Sequence, residues 1–165
     1  MRSLVVYDSD YGNTAKVGET IHASLLGYSE ASHKRIAEIS EDDLKNVDLL
    51  VIGAPTQGGK PTEPAQQFIS SLPAELLKHS RIAVYDTRME EATQKLALRI
   101  LMKTIGYAAP KMAQAIEKRG GTLITEPQGF IVLDKEGPLK KGELERADEW
   151  VRDFIDNKPY SPLAE

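Results

Sequence analysis

Residues 7–14 read YDSDYGNT and join an apolar run to a stretch with helical spacing. The apolar run, residues 4–7, is short, continuous and rich in β-branched side chains, as is typical of a strand buried on both faces. After residue 14, apolar side chains recur every four residues, as they do along one face of a helix, at Val17, Ile21 and Leu25. The stretch therefore predicts a tight polar connection between a buried strand and a helix.

The same alternation continues along the chain. Buried strands are predicted at residues 49–53, at 82–85, and at 122–125 with a continuation after Pro127 at 129–133; a weaker, alternating run at 35–39 predicts an edge strand. Helical spacing separates these runs, as in the apolar stripe of residues 144–154. Strands that alternate with helices predict the α/β class, here a doubly wound five-stranded parallel sheet with helices on both faces.

Residues 90–106 (EEATQKLALRILMKTIG) predict an additional helix where a short loop would suffice. One interpretation is that this helix covers a site or contacts a partner. The other is an ordinary surface helix that packs on the protein through Leu96, Ile100 and Leu101, because apolar helical stripes usually belong to a core.

Length and composition limit the classes of function. A chain of 165 residues supports one compact core, so we predict a single domain at residues 1–156, followed by a surface or disordered tail at 157–165. The absence of Cys excludes disulfides, thiolate catalysis and iron–sulfur ligation, so any redox chemistry requires a bound cofactor. The net charge of -4 is spread along the chain and indicates no nucleic-acid partner. With no run long enough for a signal peptide or a membrane span, we expect a cytoplasmic protein without a membrane partner.

The opening stretch has the parts of an anion site. In a doubly wound sheet, ligands bind outside the carboxyl ends of the strands, which is where this stretch lies. Gly12 permits a left-handed turn, short polar side chains surround it, and the following helix presents unpaired N–H groups. The dinucleotide motif GxGxxG and the nucleotide motif GxxxxGK[ST] are both absent from this turn.

Asp8 and Asp10 raise the alternative of a phosphoacceptor domain with a Mg²⁺ site. That chemistry needs an acidic residue after the middle strand, where this chain has Ala54-Pro55-Thr56, and a phosphatase of this fold would need a Cys nucleophile. We therefore interpret both aspartates as turn and helix-end residues whose side chains point away from an anion. The histidines at 22, 33 and 79 are scattered along the sequence and lack ligand spacing, so no metal site is predicted.

Three loops together resemble those of flavodoxins. The stretch SDYGNT resembles the flavodoxin phosphate loop T/S-x-T-G-x-T, with a tyrosine at the third position as in the FMN domains of flavodiiron proteins. The stretch GAPTQGGKP, residues 53–61, resembles the second flavin loop, and VYDTR, residues 84–88, ends a strand where flavodoxins place the third. The chain is therefore similar to the flavodoxin-like FMN-binding proteins.

This resemblance implies an FMN cofactor and a set of binding residues, with no catalytic residue. The phosphate loop would contribute Ser9, Asp10, Tyr11, Gly12, Asn13 and Thr14; the second loop Pro55, Thr56, Gln57, Gly58 and Gly59; the third loop Thr87, Arg88 and Met89. The second and third loops lack the aromatic residues that usually stack on the flavin, and each missing contact lowers the affinity for FMN by about 0.5–1.5 kcal/mol. Tyr11 or Tyr107 could substitute for them.

Two positions bear on redox tuning. Gly58-Gly59 corresponds to a peptide that turns its carbonyl toward flavin N5 on reduction in flavodoxins, although two glycines also suit a simple tight turn. Arg88 near flavin N1 and O2 would stabilise the anionic reduced flavin; at about 8 Å and a dielectric near 20 the effect is roughly 2 kcal/mol, or about 90 mV. The alternative for Arg88 is an ordinary surface arginine.

We expect an electron carrier that exchanges electrons with redox partner proteins, rather than a stand-alone enzyme. Two alternatives stay open: an FMN-dependent oxidoreductase acting on a quinone or other small acceptor, with residues 89–110 lining the substrate site, and a flavin-free binding module on the same fold. A homodimer is also left open.

Overall fold

The computed structural model describes residues 1–157, except the side chain of Thr93. The predicted tail therefore lies, from residue 158 onward, outside the described residues. The strands are β1 (Arg2–Tyr7), β2 (Glu30–Arg35), β3 (Leu49–Pro55), β4 (Arg81–Met89), β5 (Thr122–Leu123) and β6 (Gln128–Val132). The helices are α1 (Asn13–Leu25), α2 (Glu63–Ser71), α3 (Ala74–His79), α4 (Leu96–Ile105), α5 (Ala108–Lys118) and α6 (Glu143–Asp156).

The strands form one parallel sheet in the order β2-β1-β3-β4-β5, and β6 also pairs with β4. β5 pairs with the start of β4 and β6 with its end, so the two short strands share the fifth position of the sheet. They are interrupted around Pro127, which has no N–H to donate to a neighbouring strand. The doubly wound five-stranded parallel sheet is therefore confirmed.

The core consists of two layers, one on each face of the sheet. α2, α3 and α5 cover one face, where Phe68, Leu77 and Met112 are buried against the strands. α1 and α6 cover the other face, where the rings of Tyr85 and Trp150 meet edge to face. Because both faces are covered, the central strands are apolar throughout, which is why their sequences appear as continuous apolar runs.

The predicted edge strand at residues 35–39 is wrong in position. β2 forms one edge of the sheet and, within residues 1–157, pairs with β1 alone, from Arg2 opposite Glu30 to Tyr7 opposite Arg35. Residues Ile36–Glu38 form a 3₁₀ turn instead. Ile36 and Ile39 pack against the core from this turn. Their spacing in the sequence resembles the alternation of a strand, which explains the wrong position.

The additional helix exists, as α4, preceded by a 3₁₀ turn at Glu91–Thr93. However, the prediction that it packs through Leu96, Ile100 and Leu101 is wrong. These side chains are 71%, 57% and 50% exposed, and none of the residues of α4 is buried. The half-buried side of the helix is formed by neighbouring positions such as Leu98 and Met102.

Candidate functional site

The first predicted loop lies at the carboxyl end of β1 and leads into α1. Gly12 takes the left-handed conformation, with φ of 90°. The buried Ser9 accepts hydrogen bonds through its Oγ from the N–H groups of Gly12 (3.1 Å) and Ala15 (3.3 Å). Ser9 therefore closes the turn at the start of α1, where helical N–H groups have no partner within the helix.

Thr14 links this loop to the third one. Its Oγ1 lies 2.8 Å from Thr87 Oγ1, and both residues are buried. The Thr14 carbonyl accepts a hydrogen bond of 3.0 Å from the Tyr85 hydroxyl. The start of α1 and the end of β4 are thereby held together.

Asn13 has a partner that the sequence did not reveal. Its side-chain Nδ2 donates to the carbonyl of Glu136 at 3.0 Å, and a Cβ on Gly137 would lie 2.6 Å from its Oδ1. The connection between β6 and α6 therefore borders the phosphate loop. The contact joins residues 123 positions apart, so no local pattern could identify it.

The two aspartates of the first loop each accept a hydrogen bond. Asp10 is exposed and accepts a hydrogen bond from the Gln57 side chain, which joins the first and second loops. Asp8 is half-buried and accepts from the N–H of Ser9 at 3.1 Å. Tyr11 is 47% exposed, so its ring is accessible to a ligand.

The second loop is a two-residue turn. Gln57 and Lys60 exchange backbone hydrogen bonds of 2.9 and 3.1 Å, and Gly58 and Gly59 between them have φ of 56° and 75°. Both glycines therefore occupy conformations that other residues rarely adopt. The tight-turn interpretation holds, and the carbonyl movement expected on flavin reduction stays a prediction.

Neighbouring elements hold the second loop in place. Thr56, which follows the half-buried Pro55, accepts a hydrogen bond of 2.9 Å from the N–H of Ala108 at the start of α5. Lys111 Nζ donates to the carbonyls of Gly59 (2.6 Å) and Ile105 (2.7 Å). The end of α4 is thus tied to the loop.

Arg88, in the third loop, is neither an ordinary surface arginine nor an unpaired charge. Its guanidinium donates two hydrogen bonds of 2.7 Å to the fully buried carboxylate of Asp86 and lies 3.8 Å from the centre of the Tyr107 ring. The shift of about 90 mV in the flavin potential was predicted for an arginine with no counter-charge. In the structure, the Asp86 carboxylate balances the charge of Arg88. Met89, the last residue of β4, is half-buried beside it.

Tyr107 contributes an aromatic ring next to the third loop. One face of the ring is covered by Arg88, and its hydroxyl donates to Glu91 Oε2 at 2.8 Å. Burial, followed by the hydrogen bond to Glu91, raises the pKa of Tyr107 above its usual range, so the phenol stays neutral at physiological pH.

Two of the three histidines are brought together by the fold. His22 Nε2 donates to the Ala31 carbonyl at 3.1 Å, and His33 Nδ1 shares a hydrogen bond of 3.3 Å with the Tyr7 hydroxyl. The two imidazole centres are 4.5 Å apart. Within residues 1–157, no group of three or more potential ligands is placed to hold a metal ion.

The three predicted loops meet at one edge of the sheet, at the ends of β1, β3 and β4. Besides the pairs Asp10–Gln57 and Thr14–Thr87, the Thr56 N–H donates to the Thr87 carbonyl at 2.9 Å. The groups around the helix N-terminus are N–H donors and hydroxyls, a set that suits a phosphate. The phosphate end of FMN would fit such a set, and the hydrogen bonds above join the first loop to the second and third.

The fold and the three loops define a doubly wound α/β protein with a candidate anion site at the turn between β1 and α1. The family model described as "Flavodoxin domain" matches residues 4–131. The chain belongs to this family, whose cofactor is a flavin.

Solved structures agree with this assignment in their fold. The chain is similar to a flavodoxin from the domain Archaea (18% identity, TM-score 0.70, covering 94% of this chain and 97% of that one) and to oxidised Flavodoxin 2 from Bacillus cereus (20%, 0.69, 94% and 99%). It also resembles part of the Flv1 flavodiiron core from Synechocystis sp. PCC6803 (16%, 0.65, 94% and 35%). The comparison with curated proteins gives no match. Among the described residues, no helix has both the length and the apolar character needed to cross a membrane.

Proposed function

We propose that the protein binds FMN noncovalently and carries electrons between redox partner proteins. The observation that carries this proposal is the closed turn at the start of α1, where Ser9 Oγ accepts hydrogen bonds from the N–H groups of Gly12 and Ala15, and Thr14 joins the turn to Thr87. N–H groups at the start of a helix favour an anion such as a phosphate, which would favour FMN over riboflavin. Membership of the flavodoxin domain family supports electron transfer as the use of the bound flavin.

Each of the three loops would contact a different part of the cofactor. The turn around Gly12 would hold the phosphate, and the second and third loops would border the flavin ring. When bound, the flavin supplies the electron-accepting chemistry; the protein supplies orientation and electrostatics. Tyr11 is exposed in the first loop and the Tyr107 ring lies against Arg88 of the third, which supports their use in place of the stacking aromatics that the second and third loops lack.

Absorption spectroscopy and flavin titration test this proposal. Purified protein is expected to show flavin bands near about 370 and 450 nm, and the apoprotein is expected to prefer FMN to riboflavin. Ser9→Ala should weaken FMN binding and leave riboflavin binding unchanged, because Ser9 organises only the phosphate turn. Ser24→Ala, near the other end of α1 and away from the turn, is the control. A protein that binds neither flavin would contradict the proposal and favour a flavin-free binding module.

A further inference from the structure

α4 presents an apolar face to solvent. Leu96, Ile100 and Leu101 are 71%, 57% and 50% exposed, and Ile105 at the end of the helix is 36% exposed. These four belong to the ten large apolar side chains that are exposed within residues 1–157, so the exposure is concentrated on this one helix. A concentrated exposed apolar patch marks an interaction site more often than scattered apolar residues do.

This face is continuous with the second flavin loop. Ile105 packs on Gly59 so closely that a Cβ on the glycine would lie 1.8 Å from Ile105 Cγ2. Lys111 bridges the carbonyls of the same two residues. A protein bound to α4 would therefore lie at the edge of the proposed flavin site, where electron transfer requires it.

The charges of the helix indicate the chemistry of the partner. Lys95, Arg99 and Lys103 are the charged residues between positions 95 and 105, and no acidic residue occurs there. Just before the helix, Glu91 lies 3.5 Å from Lys103, and Glu90 pairs with Lys140 at 2.7 Å. On a chain of net charge -4, α4 is thus a basic and apolar segment. Charge complementarity favours an acidic partner.

We propose that α4 is the docking surface for a redox partner that presents an apolar patch ringed by carboxylates. The inference rests on the proposed electron-carrier function. A second copy of the chain fits less well, because a two-fold contact through α4 would bring the basic residues of both helices together. The apolar side chains supply the contact, and the basic residues orient the encounter.

The rate of electron transfer to two model acceptors tests the charge assignment. FMN-loaded protein, reduced with dithionite and freed of excess reductant, is mixed with an acidic b-type or a basic c-type ferric cytochrome. Each reduced flavin delivers two electrons to two ferric haems and releases its protons to solvent. With the acidic cytochrome, we expect the rate to fall as salt rises, because screening weakens an attraction between opposite charges. Lys95→Gln/Lys103→Gln should lower this rate several-fold at low salt, and little at high salt.

Apolar and distant variants complete the design. Leu96→Ser/Ile100→Ser should lower the rate at every salt concentration, because salt does not screen the apolar contact that this variant removes. The controls lie at the opposite end of the strands: Lys45→Gln/Lys78→Gln for charge and Leu26→Ser for apolar exposure. Equal effects of the α4 and control variants would overturn the proposal. Self-association in sedimentation equilibrium that Leu96→Ser/Ile100→Ser abolishes would assign the face to a second copy instead.

An NMR titration separates this inference from the proposed function. The acidic cytochrome is added to isotope-labelled protein with and without FMN, and shift changes are expected on residues 96–105. Shift changes there without any FMN binding would uphold the docking surface and contradict the carrier. FMN binding with no shift changes on α4 would support flavin binding and overturn the docking surface.

Discussion

The carboxylate of Asp86 is completely buried, and its charge is neutralised inside the protein. Arg88 donates two hydrogen bonds of 2.7 Å to it, and the N–H of Ala109 donates a third of 2.8 Å. A buried charge that loses its partner is strongly destabilising. We therefore expect Arg88→Ala to lower the free energy of unfolding by about 3–5 kcal/mol, as measured by urea denaturation.

The double variant Arg88→Ala/Asp86→Asn is the control for this prediction. Because it removes both charges, it should recover much of the lost stability; costs that simply add would show that the two residues are not coupled. In the FMN-loaded protein, Arg88→Ala should lower the flavin potential by tens of millivolts, since it removes a positive charge from the third loop. The double variant should leave the potential nearly unchanged.

Gly137 is expected to set the position of Asn13 in the phosphate loop. An added methyl group would lie 2.6 Å from Asn13 Oδ1, so Gly137→Ala should displace the Asn13 side chain. We expect it to weaken FMN binding roughly tenfold, or about 1.4 kcal/mol, without changing riboflavin binding. Gly142→Ala is the matched control, because its φ of 92° resembles the 102° of Gly137 but its Cβ would meet nothing within 4 Å. Equal losses in both variants would point to backbone strain alone.

At the scale of elements, the contact between α4 and the second loop depends on Gly59. A Cβ there would overlap Ile105, whereas a Cβ on Gly58, which also has a positive φ, would meet nothing within 4 Å. Gly59→Ala should therefore separate α4 from the loop and speed hydrogen exchange in residues 96–105. Gly58→Ala should not. Similar exchange in the two variants would show that α4 is held by other contacts.

α6 is joined to β6 by a buried carboxylate. Glu143 accepts hydrogen bonds of 2.6 Å from the N–H of Ile131 and 2.6 Å from Arg146. Burial opposes ionisation, but the Arg146 guanidinium and the Ile131 amide outweigh it and lower the pKa of Glu143 below its usual value. Its stabilising effect is therefore present above the usual carboxyl pKa and is lost as the pH falls through the lowered one.

Glu143→Gln tests this pH dependence. At neutral pH we expect the variant to be about 1–3 kcal/mol less stable, because hydrogen bonds to a charged group are weakened. The difference should shrink on acidification, as the wild-type carboxylate becomes protonated. Glu149→Gln, an exposed change on the same helix, is the control. A difference that stays constant down to acidic pH would contradict the role of the charge.

For the whole molecule, the burial of a strand between layers of helices decides whether the strand can be predicted from the sequence. The central strands are covered by helices on both faces, so their apolar runs identify them without further information. β2 lies at the edge, where one neighbour and partial exposure leave only a weak pattern, and the prediction was displaced to the turn that follows. The turn between β1 and α1 was predictable because Gly12 and the short polar residues around it act locally.

The α/β class, the alternation of strands and helices and the three loops at the carboxyl ends of the strands could all be predicted from the sequence, because they follow from short-range patterns of burial and turn chemistry. Which distant groups meet could be learned only from the folded structure. The pairing of Asn13 with Glu136, the position of the Arg88 guanidinium over Tyr107, and the outward direction of the apolar face of α4 depend on contacts between residues far apart in the chain or on the packing of whole elements. Such contacts leave no periodic signal, since they are set by how the layers pack and not by the neighbouring residues.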